Sequence, residues 1–264
     1  MFVDSHCHLS FPELADKLSD VLAAMAEAQV DRALCICTTL EEFPAVHAIA
    51  TGNDNLWCSV GVHPDNEDAR EPSLADLLER ATLPKVVAIG ETGLDYFRLG
   101  ERNIADMEWQ RERFRVHIRA ALQTDRPLVI HTRSAADDTL RLVREEGAHR
   151  ARGVFHCFTE SADFARAALD LGFYISFSGI VTFKNAEALR QVAAFVPLDR
   201  CLIETDSPYL APAPYRGKTN MPAYVPWVAK QVAESKGLSV VAVAAATSRN
   251  FEHLFGIPPV LTST

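Results

Sequence analysis

With 264 residues, 48% of them apolar and 23% charged, the chain has the composition of a soluble globular protein and the length of one large α/β barrel or two small domains. Its formal net charge of -9 argues against a surface that coats nucleic acid broadly, but leaves open a local site made positive by metal ions. No stretch approaches the roughly 18 to 20 consecutive apolar residues of a membrane span, so the expectation is a protein with no membrane role.

The first predicted strand, 2–8, carries Asp4-Ser5-His6-Cys7-His8. Side chains alternate along an extended segment, so His6 and His8 fall on one face and can reach one metal ion. Residues 11–29 place Leu14, Leu18, Val21, Leu22 and Met25 at helical spacing and predict one helix. A strand over 33–37, a helix over 41–50 and a strand over 57–62 ending in His63-Pro64 follow. Ser73 is a predicted N-cap for the helix bearing Leu74, Leu77 and Leu78, and 86–90 is a strand running into Glu91. Next come a long polar helix over 104–123, a strand over 127–130 ending in His131, and a helix over 135–146. A strand over 153–155 leads to His156, and a helix spans 161–171. The last strands are 173–177 and 201–203, with a helix over 186–195 between them and Glu204-Thr205-Asp206 after them. A proline-rich loop then separates the barrel from two closing helices, 223–234 and 240–255.

Eight strand-helix alternations without a linker predict a single (β/α)8 TIM-type barrel over 1–257, followed by a short frayed tail, 258–264. Neither GxGxxG nor a P-loop motif occurs, which weakens nucleotide-binding open-sheet folds. The strand pattern starts at Phe2 with no basic leader ahead of it, and none of the six cysteines (Cys7, Cys35, Cys37, Cys58, Cys157, Cys201) forms a CxxC pair. Buried reduced thiols in a cytoplasmic protein are therefore expected.

The polar residues stand out by position. His6, His8, His63, Glu91, His131, His156 and Asp206 all fall at carboxyl ends of predicted strands, which a barrel gathers at one mouth. Singly, each has an ordinary structural role as a hydrogen-bonded histidine or a capping aspartate. Together they are costly without a cation. Two divalent ions would accommodate four imidazoles and two carboxylates, with Glu91 as a bridge. His47, His117, His149 and His253 lie in helical stretches and read as structural. Arg133 shares the face of His131 and can meet either a phosphate or a surface carboxylate.

Asp4-Ser5-His6-Cys7-His8, Gly61-Val62-His63-Pro64, Gly90-Glu91-Thr92-Gly93-Leu94-Asp95-Tyr96, the 127–133 segment ending in His131-Thr132-Arg133, His156-Cys157-Phe158-Thr159 and Glu204-Thr205-Asp206-Ser207-Pro208-Tyr209-Leu210 together resemble the TatD-type metal-dependent deoxyribonucleases among the amidohydrolase-like barrels. Arg216-Gly217-Lys218 and 250–256 are similar to that family too, so the resemblance runs from residue 2 to about 257. It implies a divalent-metal hydrolase acting on DNA ends. His6, His8, Glu91, His131, His156 and Asp206 would stand in the metal-ligand positions, and His63, Glu204 and Arg133 near substrate. Met221 departs from the resemblance, since many members carry glutamate there, and this puts the role of its loop in question.

The expected reaction is hydrolysis of a phosphodiester by a two-metal activated water, with Mg, Mn or Zn as candidate ions. Asp206 would orient the water and take its proton, while Glu204, one layer deeper, would orient a ligand. His63 would donate to the phosphate or the leaving oxygen, and Phe158 and Tyr209 would either stack a terminal base or pack the barrel rim. Few basic residues suffice to hold one or two phosphates, so a monomeric exonuclease on single-stranded or frayed 3′ ends of DNA is expected. The alternative is an ester or amide hydrolase, such as an aminoacyl-tRNA deacylase, because the same water can attack a carbonyl carbon.

Overall fold

The computed structural model describes residues 1–259; the part of the expected tail beyond them lies outside the described residues. Its strands are β1 (Phe2–Cys7), β2 (Val30–Cys35), β3 (Leu56–Val60), β4 (Val86–Asp95), β5 (Leu128–Arg133), β6 (Gly153–Phe155), β7 (Tyr174–Phe177) and β8 (Cys201–Ile203). They pair in sequence order, each parallel to the next, with helices between them. The chain forms the (β/α)8 barrel that its alternation predicts.

β8 meets β1 through a stitched seam. Cys7 bridges Ser207, the His8 N–H donates to the Ser207 carbonyl (2.8 Å), and the Asp206 N–H donates to that of His6 (2.9 Å). Asp4 accepts from the Thr205 N–H (2.9 Å) and hydroxyl (2.5 Å). The seam therefore ties the His-x-His segment directly to the segment bearing Asp206.

Strand parity sorts the core into two layers. Cys35, Ile89, Ile130, Phe155, Ile175 and Ile203 face outward and pack with helix residues such as Phe114, Leu142 and Phe164. Leu34, Ala88, Val129, Val154, Tyr174 and Leu202, of opposite parity, cluster with Phe251, Leu254 and Phe255 of the last helix, Val240–Phe255. These inward residues lie toward the strand starts, so that end of the barrel is apolar. Polar inward residues collect at the other end.

Three local expectations change. The helix predicted over 11–29 is two helices, Pro12–Ala15 and Leu18–Glu27, because Lys17 leaves helical geometry (φ -134°, ψ 33°). The helix predicted from 104 begins as a 3₁₀ turn, Ile104–Met107, before Glu108–Thr124. Most consequentially, β4 runs on past Glu91 to Asp95, pairing Gly93 with His131 and Asp95 with Arg133. Gly93 permits this with φ +133°, and a Cβ there would lie 2.0 Å from the His131 carbonyl oxygen. By contrast, Ser73 caps its helix as predicted, accepting from the Asp76 N–H while Asp76 accepts from its own. Among the described residues no helix is long and apolar enough to cross a membrane.

Candidate metal centre

The alternation within β1 puts both imidazoles of His-x-His on the inner face, with their Nε2 atoms 3.3 Å apart. Glu91 stands opposite, 2% exposed, and each of its carboxylate oxygens faces a different set of histidines. Oε2 lies 3.3 Å from His6 Nε2 and 3.9 Å from His8 Nε2. Oε1 lies 2.7 Å from His156 Nε2 and 3.3 Å from both His131 Nδ1 and His63 Nε2. Asp206 completes the first set, with Oδ1 3.3 Å from His8 and 3.6 Å from His6. Its backbone is left-handed (φ 57°), held there by the seam bond to His6. Residues from six strand ends thus meet in one cluster.

For His131, His156 and His63, hydrogen bonds on the far side of the ring settle which nitrogen faces the cluster, whereas the Nδ1 atoms of His6 and His8 have no partner. His131 Nε2 donates to Asp95 Oδ2 (3.0 Å), turning the Nδ1 lone pair toward Glu91. His156 Nδ1 donates to Glu204 Oε1 (3.3 Å), turning Nε2 inward. Glu204 is itself fixed by the Cys157 N–H (2.7 Å). His63 is reversed: its Nδ1 accepts from the Asp65 N–H (3.0 Å), so Nε2 carries a proton and presents a donor. Arg113 anchors that loop by donating to the carbonyls of His63 (2.8 Å) and Asn66 (3.0 Å).

These donors fit a divalent cation. Three overlapping groups, His6 with His156 and Asp206, His6 with His8 and Glu91, and His63 with Glu91 and His131, each converge within 4.8 Å. The buried His156 Nε2 makes no hydrogen bond, although it lies against Glu91. Two Nε2 atoms at 3.3 Å cannot both act as acceptors without something positive between them. Imidazole and carboxylate together suit Zn, Mn or Mg. Burial pushes the Glu91 carboxyl up, yet the imidazoles of His156, His63 and His6 together hold it well below the usual range.

The cluster floors a pocket of about 720 Å³, walled by residues that include His8, Asp206, Tyr209, Arg98 and Arg133. Arg133 lies 3.6 Å over the Phe97 ring and has no carboxylate partner among the described residues. Phe97 (57% exposed) and Tyr209 (52%) are the two exposed aromatic side chains among the described residues, and both stand at this mouth. Phe158 does not join them. It is 1% exposed and packs on Phe164, so of its two expected roles it takes packing and not stacking, its side chain pointing into the outer core layer. Met221 is half-buried against that core and lines no part of the pocket. The cysteines are all free, five of them buried and Cys157 half-buried at the mouth.

One residue at the site, Asp95, escapes sequence reasoning. Asp95 was hidden because Thr92-Gly93-Leu94 reads as a loop after Glu91, when it is strand. His117, correctly read as structural, accepts from the Val62 N–H (3.0 Å) and so supports the strand end next to His63.

Comparison with known proteins places the chain among relatives of the same length and fold. The chain is 47% identical over 259 residues to the metal-dependent hydrolase YcfH of Escherichia coli, covering 97% of this chain and 96% of that protein. It is 30% identical over 260 residues to the 3′-5′ ssDNA/RNA exonuclease TatD of Escherichia fergusonii, covering 96% and 98%. The crystal structure of YjjV, a TatD homologue from Escherichia coli, superposes with a TM-score of 0.90 at 29% identity, covering 97% and 98%. A sequence model described as TatD related DNase matches residues 3–256, and on that match over nearly the whole chain the protein belongs to this family.

Proposed function

We propose that this protein is a metal-dependent deoxyribonuclease that removes nucleotides from single-stranded or frayed 3′ ends of DNA. The observation that carries the reading is Glu91, whose two oxygens face two sets of histidines and would each serve a divalent ion. By their distances to Asp206 and to the two Glu91 oxygens, His6, His8 and Asp206 would serve one ion and His131 and His156 the other, with His156 also within reach of the first set. The pair, when bound, supplies an acidified water and neutralises charge on the phosphate.

The chain's own residues supply the rest. Asp206, at the edge of the pocket, orients the attacking water and takes its proton. His63 presents its Nε2 proton to a phosphate oxygen or to the leaving oxygen. Arg133, braced on Phe97, offers a guanidinium to the same phosphate. Glu204 and Asp95 touch no substrate; they position His156 and His131. A pocket of this size suits one terminal nucleotide. The two exposed aromatic rings at its rim favour unpaired bases, and the relative named as an exonuclease supports the polarity.

The test strips the protein with a chelator, restores Mg, Mn and Zn separately, and follows end-labelled single-stranded DNA beside closed circular DNA and matched chromogenic phosphodiester and carboxyl-ester substrates. Shortening of the linear strand from its 3′ end, with the circle spared, is expected. Equal rates on circle and linear strand would remove the exonuclease reading. Turnover of the carboxyl ester alone would favour the ester or amide hydrolase instead.

A further inference from the structure

Beside the mouth runs a second, shallower groove of about 520 Å³, lined by Glu13 and by residues 208–211 and 216–219. It shares Tyr209 and Leu210 with the first pocket, so the two hollows are continuous past one exposed aromatic ring. The loop that walls it is fastened to the site. Asn220 Nδ2 donates to the carbonyls of Thr205 (2.8 Å) and Tyr209 (2.6 Å), on either side of Asp206 and the turn after it. Tyr215 stacks on Tyr224 at 3.9 Å, and Arg216 lies 3.7 Å over Phe183 while donating to the Ala211 carbonyl (2.9 Å).

Lys218 reaches over the Tyr215 ring, 5.6 Å from its centroid, and neither it nor Arg216 forms an ion pair among the described residues. The groove therefore carries two cations against the single carboxylate of Glu13, on a protein whose net charge is -9. A pre-ordered, locally positive groove leading out of a hydrolytic pocket past an aromatic ring has the features of a single-strand track.

We propose that this groove holds the strand on the 5′ side of the scissile bond, with the Lys218 ammonium on the next phosphate and the Tyr209 ring between the terminal base and its neighbour. The inference rests on the nuclease reading, and its test separates the two. KM is measured with the metal-loaded protein on a dinucleotide and on an eight-nucleotide single strand. Wild type should show a KM about tenfold or more lower for the longer strand, and Lys218→Ala should bring the two values together. Binding of a labelled eight-nucleotide strand to the metal-free protein in chelator, read by fluorescence anisotropy, should lose about 0.7 from the slope of log K against log salt in the same variant. Cleavage of both substrates with equal KM in wild type, or an unchanged KM ratio and salt slope in Lys218→Ala, overturns the track while the nuclease reading stands. Failure to cleave either substrate with any of the three metals overturns both.

Discussion

Replacing Asp95 by Asn isolates what a positioning carboxylate does for the centre. Its two oxygens have separate tasks: Oδ2 accepts from His131 Nε2 at 3.0 Å, and Oδ1 accepts from the Phe97 N–H at 2.8 Å. Asparagine has one acceptor oxygen, so one of these donors must face an NH₂ group. If the backbone donor keeps its partner, His131 loses the bond that turns Nδ1 toward Glu91. A charge-assisted bond of this kind is worth about 1.5 to 3 kcal/mol, and loss of such a partner typically weakens metal binding by about 10 to 100-fold. The loss should fall on one ion of two, because His6 and His8 stand across Glu91 and do not touch Asp95. Calorimetric titration of the stripped variant with Mn or Zn should show one site near its wild-type affinity and one weakened by about 10 to 100-fold. Equal weakening of both sites, or of neither with circular dichroism unchanged, would refute the reasoning.

Asp206→Asn should lower kcat on single-stranded DNA by about 100-fold or more with a much smaller change in KM, since it removes the proton acceptor and not the pocket; steady-state kinetics on a labelled strand read this directly. Gly93→Ala sets a Cβ against the His131 backbone, and urea denaturation should show about 2 to 4 kcal/mol of lost stability, whereas an unchanged midpoint would mean that the β4–β5 contact is slack. Burial pushes the His117 imidazole from 6.5 down to about 4, so the unfolded chain binds a proton between those values that the folded chain refuses. The stability tied to this neutral ring is fully present above pH 6.5 and falls toward pH 4, by about 3 kcal/mol at 1.36 kcal/mol per unit. Urea titrations in chelator should show a flatter decline across that window for His117→Gln than for wild type, and parallel declines would contradict it.

Most of the architecture is written in periodicity. Short apolar runs alternating with amphipathic stretches give the barrel, and the two-residue spacing of His6 and His8 places both rings inward before any contact is known. The boundary at Glu91 was less legible, because Thr92-Gly93-Leu94-Asp95 has the glycine and aspartate of a turn, and only its ladder with β5 reveals a strand. Asp95 is invisible for that reason. Phe158 and Tyr209 each follow a site residue closely in sequence, yet one is buried and the other exposed; the difference lies in which layer the neighbouring helix covers, which a one-dimensional pattern does not carry. The seam of Asp4, Thr205 and Ser207 joins the two ends of the barrel sequence, and polar residues of that kind look like loop residues until the sheet curls round.

The central claim is that Glu91 joins two cations. Crystals grown with Mn or Zn and measured at the absorption edge of the metal should show two anomalous peaks flanking its carboxylate, one beside His6, His8 and Asp206 and the other beside His131 and His156. A single peak, or peaks away from Glu91, would contradict the account.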